Sequence, residues 1–270
     1  MVSLKEITNH ELLEQAAASA QRGGLAASEE HWALVQELHR RGGREAFETS
    51  ASWCASADPL LRCLGADVLG QLGCYDSHPF SDESSPILES LLADSDRRVL
   101  QSALIALGHL RSGQLAAICA LASHESAEVR HAVATCLGSR SEALARQTLI
   151  RLSADADKEV RNWATFGLGT LSNADSEGIR NALVARLSDS DYEVRGEAMR
   201  GLAARGDERA VPAILAELAS DGTSVLAIEA AATLPREDFL PELERLLEAN
   251  PESEELQLAV HACRDRDPAA

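Results

Sequence analysis

The chain has 270 residues, of which 45% are apolar but only 3% aromatic, and its formal net charge is −18 at pH 7. The apolar residues are mostly Ala and Leu, which favour helices, whereas a β-sandwich needs more Val, Ile, Thr and Tyr. So acidic a chain is poorly suited to bind nucleic-acid phosphates or an anionic membrane surface. Composition therefore predicts an all-α protein and argues against both of those partners.

The N-terminal region 1–43 predicts two helices, over about 10–21 and 28–41, which we interpret as a helical cap on a repeat domain spanning 44–270. No charged segment followed by an apolar run opens the chain, and no stretch approaches 18 apolar residues. The six cysteines form no CxxC pair. These features predict a reduced, cytoplasmic protein without a signal peptide or a membrane span.

From residue 58 onward one motif recurs: an acidic loop, then Val-Arg, then small and apolar residues, then Ala-Leu-Gly. The second residue of the Val-Arg pair falls at 62, 100, 130, 161 and 195, so the steps are 38, 30, 31 and 34 residues. Weaker copies begin at 223 and 253, and each step also contains a second amphipathic segment, such as 143–152. A period of this length predicts helix–turn–helix repeats. We name the second segments A helices and the Val-Arg segments B helices.

Local signals agree with these boundaries. Asp58 precedes Pro59, which places a capping side chain before a proline at the first helical position. Ser190 and Glu193 have the spacing of a capping box. Four glycines, at 70, 108, 138 and 169, lie near the ends of B helices, where they either permit close helix contact or end the helix.

This pattern resembles the HEAT repeat, in the short HEAT-like form first associated with phycobilisome lyases. The resemblance covers about residues 44–264 and is strongest over 94–218. It implies a right-handed α-α superhelix, a HEAT-repeat solenoid of about seven helix pairs plus the N-terminal helical cap. It also implies that the B helices line the concave face.

The sequence motifs of enzymes with a similar architecture are largely missing from this chain. Deoxyhypusine hydroxylase carries His-Glu pairs on its B helices. In this chain the only histidine directly after Val-Arg is His131, and the next residue is Ala132 rather than a glutamate. We therefore predict no metal, no cofactor and no catalytic residue, and the common nucleophile and phosphate-loop motifs are absent from the sequence. A HEAT-like lyase, or a lyase subunit acting on a cofactor-bearing or modified protein, stays open as an alternative, because no short motif carries that chemistry.

The recurring arginines permit two interpretations. HEAT-like DNA glycosylases grip DNA with a basic groove, but we expect these arginines to pair with acidic loop residues instead, since the chain is so acidic. The arginines are Arg62, Arg130, Arg161 and Arg195, and the expected partners are Asp96, Asp157 and Asp191.

The third and seventh residues of each B helix, counted from the Val, lie one turn apart on the same side. Most are small or polar, but the fourth repeat brings Trp163 and Phe166. Trp163 either fills a core gap left by Gly167 and Gly169 or contacts a partner; large aromatic residues are common at binding hot spots. The predicted contact residues are Gln101, Ile105, His131, Thr135, Asn162, Trp163, Phe166 and Arg200.

The longest break in the repeat is the segment 74–86, which we predict to be a flexible surface loop. Insertions in repeat proteins form loops on one face, often the binding face. Tyr75, His78 and Phe80 are therefore possible loop contacts.

These features favour a non-catalytic scaffold or adaptor that binds another protein on the concave B-helix face. Acidity favours a basic partner. An immunity or inhibitor protein against a basic toxin fits the same features, and the lyase is the enzymatic alternative.

Overall fold

A computed structural model describes residues 7–23, 29–74 and 78–265. Those residues form 16 α-helices and no strand, so the predicted all-α class is confirmed. The helices are α1 (Asn9–Gly23), α2 (Glu29–Arg41), α3 (Arg44–Cys54), α4 (Pro59–Gln71), α5 (Ser81–Ser90), α6 (Arg97–Leu110), α7 (Leu115–Ala120), α8 (Ala127–Leu137), α9 (Ala143–Leu152), α10 (Lys158–Phe166), α11 (Glu177–Arg186), α12 (Tyr192–Ala203), α13 (Val211–Leu218), α14 (Val225–Thr233), α15 (Leu240–Ala249) and α16 (Glu254–Arg264).

Consecutive helices form eight pairs, of which α1 and α2 are the predicted cap helices and the others alternate A and B helices. The chain divides into two compact units, residues 1–137 and 138–270. In the first unit the B helices α4, α6 and α8 pack side by side, and in the second α10, α12, α14 and α16 do the same. This stacking is what buries the apolar face of each pair.

The B helices approach closely because small residues face one another. A Cβ on Gly70 would lie 2.7 Å from the Ala106 Cα, so the glycine lets two helix backbones meet. In the second unit a Cβ on Gly201 would lie only 2.6 Å from the Gly169 Cα. Of the two roles predicted for the four glycines, close helix contact holds for Gly70, Gly108 and Gly169, whereas Gly138 directly follows the last residue of α8.

Gly201→Ala is expected to destabilise the protein by about 1–3 kcal/mol, because overpacking outweighs the better helix propensity of alanine. Chemical denaturation measures the effect. Gly178→Ala in α11 is the matched control, since the nearest atom to its Cβ would be 3.7 Å away. If both variants have the same denaturation midpoint, the two helices do not depend on close packing at Gly201.

An Asp-x-Asp motif organises the loops that precede B helices. Before α6, Asp96 is the N-cap and accepts a hydrogen bond from the Arg98 backbone N–H. Asp94, two residues earlier, accepts from Arg62 of the preceding repeat, at 2.7 Å from Nε and 3.0 Å from Nη2. The first aspartate thus links two repeats, and the second begins the helix.

The same division of roles occurs in the second unit, where Arg161 donates to Asp189 at 2.8 and 2.9 Å. For Arg62 and Arg161 the acidic partner is therefore the aspartate two residues before the predicted one, because the cap oxygens already accept backbone N–H groups. The predicted capping box at Ser190 is also wrong, since the cap of α12 is the aspartate that follows it. The three N-caps are Asp96, Asp157 and Asp191.

Each recurring arginine also donates hydrogen bonds to the loop that precedes its own helix. The Nη1 group of Arg130 donates to the carbonyls of His124 and Glu125, six and five residues earlier. Arg195 makes the equivalent bonds to its own loop and a longer one, 3.4 Å, to Glu217. These guanidinium groups hold loops in place, which is why they do not form a basic stripe.

The insertion is shorter than predicted. Helix α5 begins at Ser81 and carries Pro86 inside it, so the last six residues of the segment predicted as a flexible loop are helical. Phe80 stacks on Phe47 with ring centroids 5.1 Å apart, and the Arg44 guanidinium lies over both rings. His78 has a positive φ of 53°. Tyr75 lies outside the described residues.

Within the described ranges, no helix is both long enough and apolar enough to cross a bilayer.

Candidate functional site

The predicted contact residues are divided between the two units. Gln101, Ile105, His131 and Thr135 belong to residues 1–137, and Asn162, Trp163, Phe166 and Arg200 to residues 138–270. All eight are half-buried. We use the name unit-2 B face for the third and seventh positions of the four B helices in the second unit, counted from the third residue after the N-cap. That residue is Val160, Val194, Ala227 or Leu256. The residues of the face are Asn162, Phe166, Gly196, Arg200, Glu229, Thr233, Leu258 and Ala262.

An aromatic pair occupies the first helix of this face. The Trp163 and Phe166 rings meet edge to face, with centroids 5.7 Å apart and planes at 88°. Both side chains are half-buried, so neither is fully enclosed in the core. Phe166 stands at a position where the neighbouring B helices carry Arg200 and Thr233.

Three carboxylates of α12 and α14 contact Arg200 or Asn162 of this face. Glu197 is only 8% exposed and accepts a 2.9 Å hydrogen bond from Thr170 Oγ1. Burial raises the pKa of Glu197, and the bond from Thr170 partly opposes that shift. Arg200 contacts Glu197 at 3.7 Å and Glu229 at 3.2 Å, so one guanidinium is shared loosely between two carboxylates.

A third carboxylate is held at the start of α12. Glu193 accepts 3.1 Å hydrogen bonds from the Asn162 side-chain N–H and from the Tyr192 hydroxyl, one on each oxygen. Glu193 and Tyr192 are exposed, Tyr192 to 56%. The Asn162 Oδ1 atom is buried without a hydrogen-bond partner. Sequence analysis singled out Asn162 but gave Glu193 only a capping role.

A cavity of about 450 Å³ opens one turn beyond Phe166. Its walls include Thr170, Arg200 and Thr233, which belong to the B helices of this face, and Ser172 and Arg205. The lining is therefore mainly polar, with hydroxyl groups and two guanidinium groups.

Arg205 shapes this cavity, and sequence analysis missed it. Helix α10 ends in a π-helical turn, Gly167–Leu171, which leaves several carbonyls without a helical partner. The Arg205 guanidinium donates to five carbonyls of this region, and burial lowers its pKa. The acceptors are Leu168, Gly169, Ser172, Ala174 and Gly201.

The first unit holds a different polar cluster. Asp67 of α4 is half-buried, and desolvation raises its pKa to about 7 even though a hydrogen bond with Ser102 opposes the shift. The buried His39 ring places Nε2 2.9 Å from the Asp67 carbonyl oxygen, and burial lowers the pKa of His39. Asp67 occupies the seventh position of its B helix, the position held by Phe166 in α10.

Among the described residues, no group of three or more His, Cys, Asp or Glu side chains is arranged to hold a metal ion. The six cysteines are free thiols, five of them buried. Burial raises the pKa of Cys54 and of Cys63 to about 12, so neither is a ready thiolate.

Comparison with known proteins identifies relatives of the same architecture. Over 221 residues the chain is 28% identical to protein YibA of Escherichia coli K12, which covers 78% of this chain and 77% of YibA. The X-ray structure of E. coli YibA superposes with a TM-score of 0.75 at 25% identity, covering 97% of this chain and 94% of that one. A CpcE–CpcF complex of phycocyanin lyase from Nostoc matches at 20% identity over 93% of each chain with a TM-score of 0.48, which supports no functional argument.

The family model for HEAT repeats matches residues 84–169 and 146–235, more than half of the chain. The predicted resemblance is thereby confirmed, together with the HEAT-repeat fold class. The chain belongs to the HEAT-repeat family.

Proposed function

We propose that this protein is a non-catalytic interaction module that holds another protein on its B-helix face, with Trp163, Phe166 and Asn162 at the centre of the contact. HEAT repeats are built to present such extended surfaces to partners. The observation that carries the proposal is the half-buried aromatic pair on a face whose Arg200 and Asn162 contact three carboxylates. An aromatic anchor with charged neighbours is typical of a binding hot spot.

A basic partner fits this surface best. Glu229 lies on the face, and Glu193 and Glu197 contact Asn162 and Arg200 of the face. The formal net charge of the chain is −18. Such a field steers cationic partners toward the surface and repels nucleic acid and anionic membranes. The six free thiols support a reducing compartment such as the cytoplasm.

The test is a quantitative pull-down from native lysate with mass spectrometry. We expect Trp163→Ala/Phe166→Ala to lose a stoichiometric partner that the wild type retains, because truncating a hot spot removes about 2 kcal/mol or more of binding energy. Circular dichroism must show that the variant is folded.

Leu144→Ala on α9 is the control, since Leu144 is exposed on an A helix. It should retain the partner fully. If the aromatic variant binds the same partner as well as the control does, this face is not the contact.

A further inference from the structure

We infer that the unit-2 B face, together with Glu193, recognises arginine side chains of an extended basic segment in its partner. This inference rests on the proposed function and specifies the chemistry of the partner. It is carried by the preorganised carboxylate at Glu193, by the loosely held ion pair between Arg200 and Glu229, and by the aromatic residues of α10 and α12.

The Glu193 carboxylate is already oriented before any partner arrives. Asn162 and Tyr192 each donate one 3.1 Å hydrogen bond to it, one to each oxygen, while the side chain stays exposed. A carboxylate oxygen has two lone pairs, so both oxygens can accept again. A planar guanidinium matches this geometry with two parallel N–H groups.

Arg200 leaves a second carboxylate available. Its guanidinium lies 3.2 Å from Glu229 and 3.7 Å from Glu197, and neither contact is a well-formed hydrogen bond. An exposed ion pair of this kind contributes little. An incoming cation can therefore engage Glu229 without breaking a strong internal interaction.

Aromatic rings favour arginine over lysine here. Three of the chain's nine aromatic residues, Trp163, Phe166 and Tyr192, lie on α10 or at the first residue of the adjacent α12. Arginine stacks on aromatic faces and pairs with carboxylates in a fork, whereas lysine presents a compact, strongly hydrated charge. The combination of rings and fixed carboxylates is thus better matched to guanidinium groups.

The spacing of the carboxylates indicates an extended segment. Glu193 and Glu229 lie on α12 and α14, which pack directly against each other, and packed helix axes are roughly 8–10 Å apart. An extended segment in the polyproline II conformation has three residues per turn and rises about 3.1 Å per residue, so side chains three residues apart lie on the same side and span roughly 9 Å. The expected partner segment therefore carries arginines at positions i and i+3.

The experiment titrates the full-length protein into a fluorescein-labelled peptide with arginine at every third residue, separated by Gly and Ala. Matched peptides carry lysine or citrulline instead of arginine. We expect the arginine peptide to bind more tightly than the lysine peptide and citrulline to bind weakest, with fluorescence anisotropy as the readout. Citrulline keeps the shape of arginine but not its charge.

The decisive variant is Glu193→Gln/Glu229→Gln, for which we expect about a tenfold loss of affinity for the arginine peptide. Glu242→Gln/Glu248→Gln on α15 removes the same charge from an A helix and should change affinity less than about twofold. If both pairs weaken binding equally, attraction is merely due to net charge and the inference is wrong. It is equally wrong if the arginine and citrulline peptides bind alike.

The outcomes separate this inference from the proposed function. Loss of the lysate partner in the aromatic variant, together with no preference for the arginine peptide, would overturn the arginine specificity and leave the interaction module standing. Retention of the partner in the aromatic variant would overturn the proposed function. A tight, face-dependent arginine complex supports both.

Discussion

Replacing Arg205 with alanine is expected to destabilise the protein by about 3 kcal/mol or more, since hydrogen bonds to a charged group contribute about 1.5–3 kcal/mol each and several are lost. The Arg205 guanidinium donates to five carbonyls that gather where α10 ends in its π-helical turn. Alanine leaves those acceptors near the cavity without donors. Urea denaturation followed by circular dichroism measures the change.

Two further variants make this prediction specific. Arg205→Lys keeps the charge but has three donors on one nitrogen, so it should recover only part of the lost stability. Arg264→Ala removes an exposed arginine that pairs with Glu244 on the surface, and it should change stability by less than about 1 kcal/mol. If Arg205→Ala is no more destabilised than Arg264→Ala, Arg205 does not hold the turn.

Asp67→Asn is expected to stabilise the protein above neutral pH. Burial raises the pKa of Asp67 to about 7 from 3.8, so the folded state binds this proton more tightly than the unfolded state does. The contribution of protonated Asp67 to the stability of the fold is therefore fully present below about pH 4. This contribution is lost as the pH rises towards 7. Asparagine cannot ionise, so at pH 8 the variant should gain about 2–4 kcal/mol, and below pH 4 almost nothing.

Denaturation midpoints between pH 4 and pH 8 test the sign of this effect. Glu48→Gln removes an exposed carboxylate in α3. Its denaturation midpoint should change with pH in the same way as that of the wild type. His39 acts in the opposite direction, because burial lowers its pKa and its stabilising contribution is lost as the pH falls. A wild type and an Asp67→Asn variant with identical pH profiles would show that Asp67 ionises freely in the folded state.

The fold was predictable because its signals repeat. The segments of α8, α10 and α12 each supply a buried valine and a loop-binding arginine, so each copy reinforces the interpretation of the others. The role of each loop aspartate was harder to predict. Two aspartates stand in each Asp-x-Asp loop, and only the geometry decides that Asp96 caps the helix while Asp94 accepts Arg62.

The candidate site was predictable only in part. Phe166 stood out because it is aromatic at a position that is usually polar. Glu193 and Arg205 did not, since their roles depend on contacts with other repeats: Glu193 meets Asn162 of the preceding B helix, and Arg205 reaches back to carbonyls of α10. Gly206, which has a φ of 61°, predicts a turn after α12 but says nothing about the carbonyls that Arg205 reaches.

The most direct test of the interaction module is site-specific photo-crosslinking in native lysate. A benzophenone amino acid is placed at Thr233 on the unit-2 B face or at Leu144 on the A helix α9, and crosslinked proteins are identified by mass spectrometry. We predict one dominant protein, crosslinked from Thr233 and competed by the arginine peptide, with little from Leu144. Equal crosslinking of the same proteins from both positions would contradict a binding role for the B-helix face.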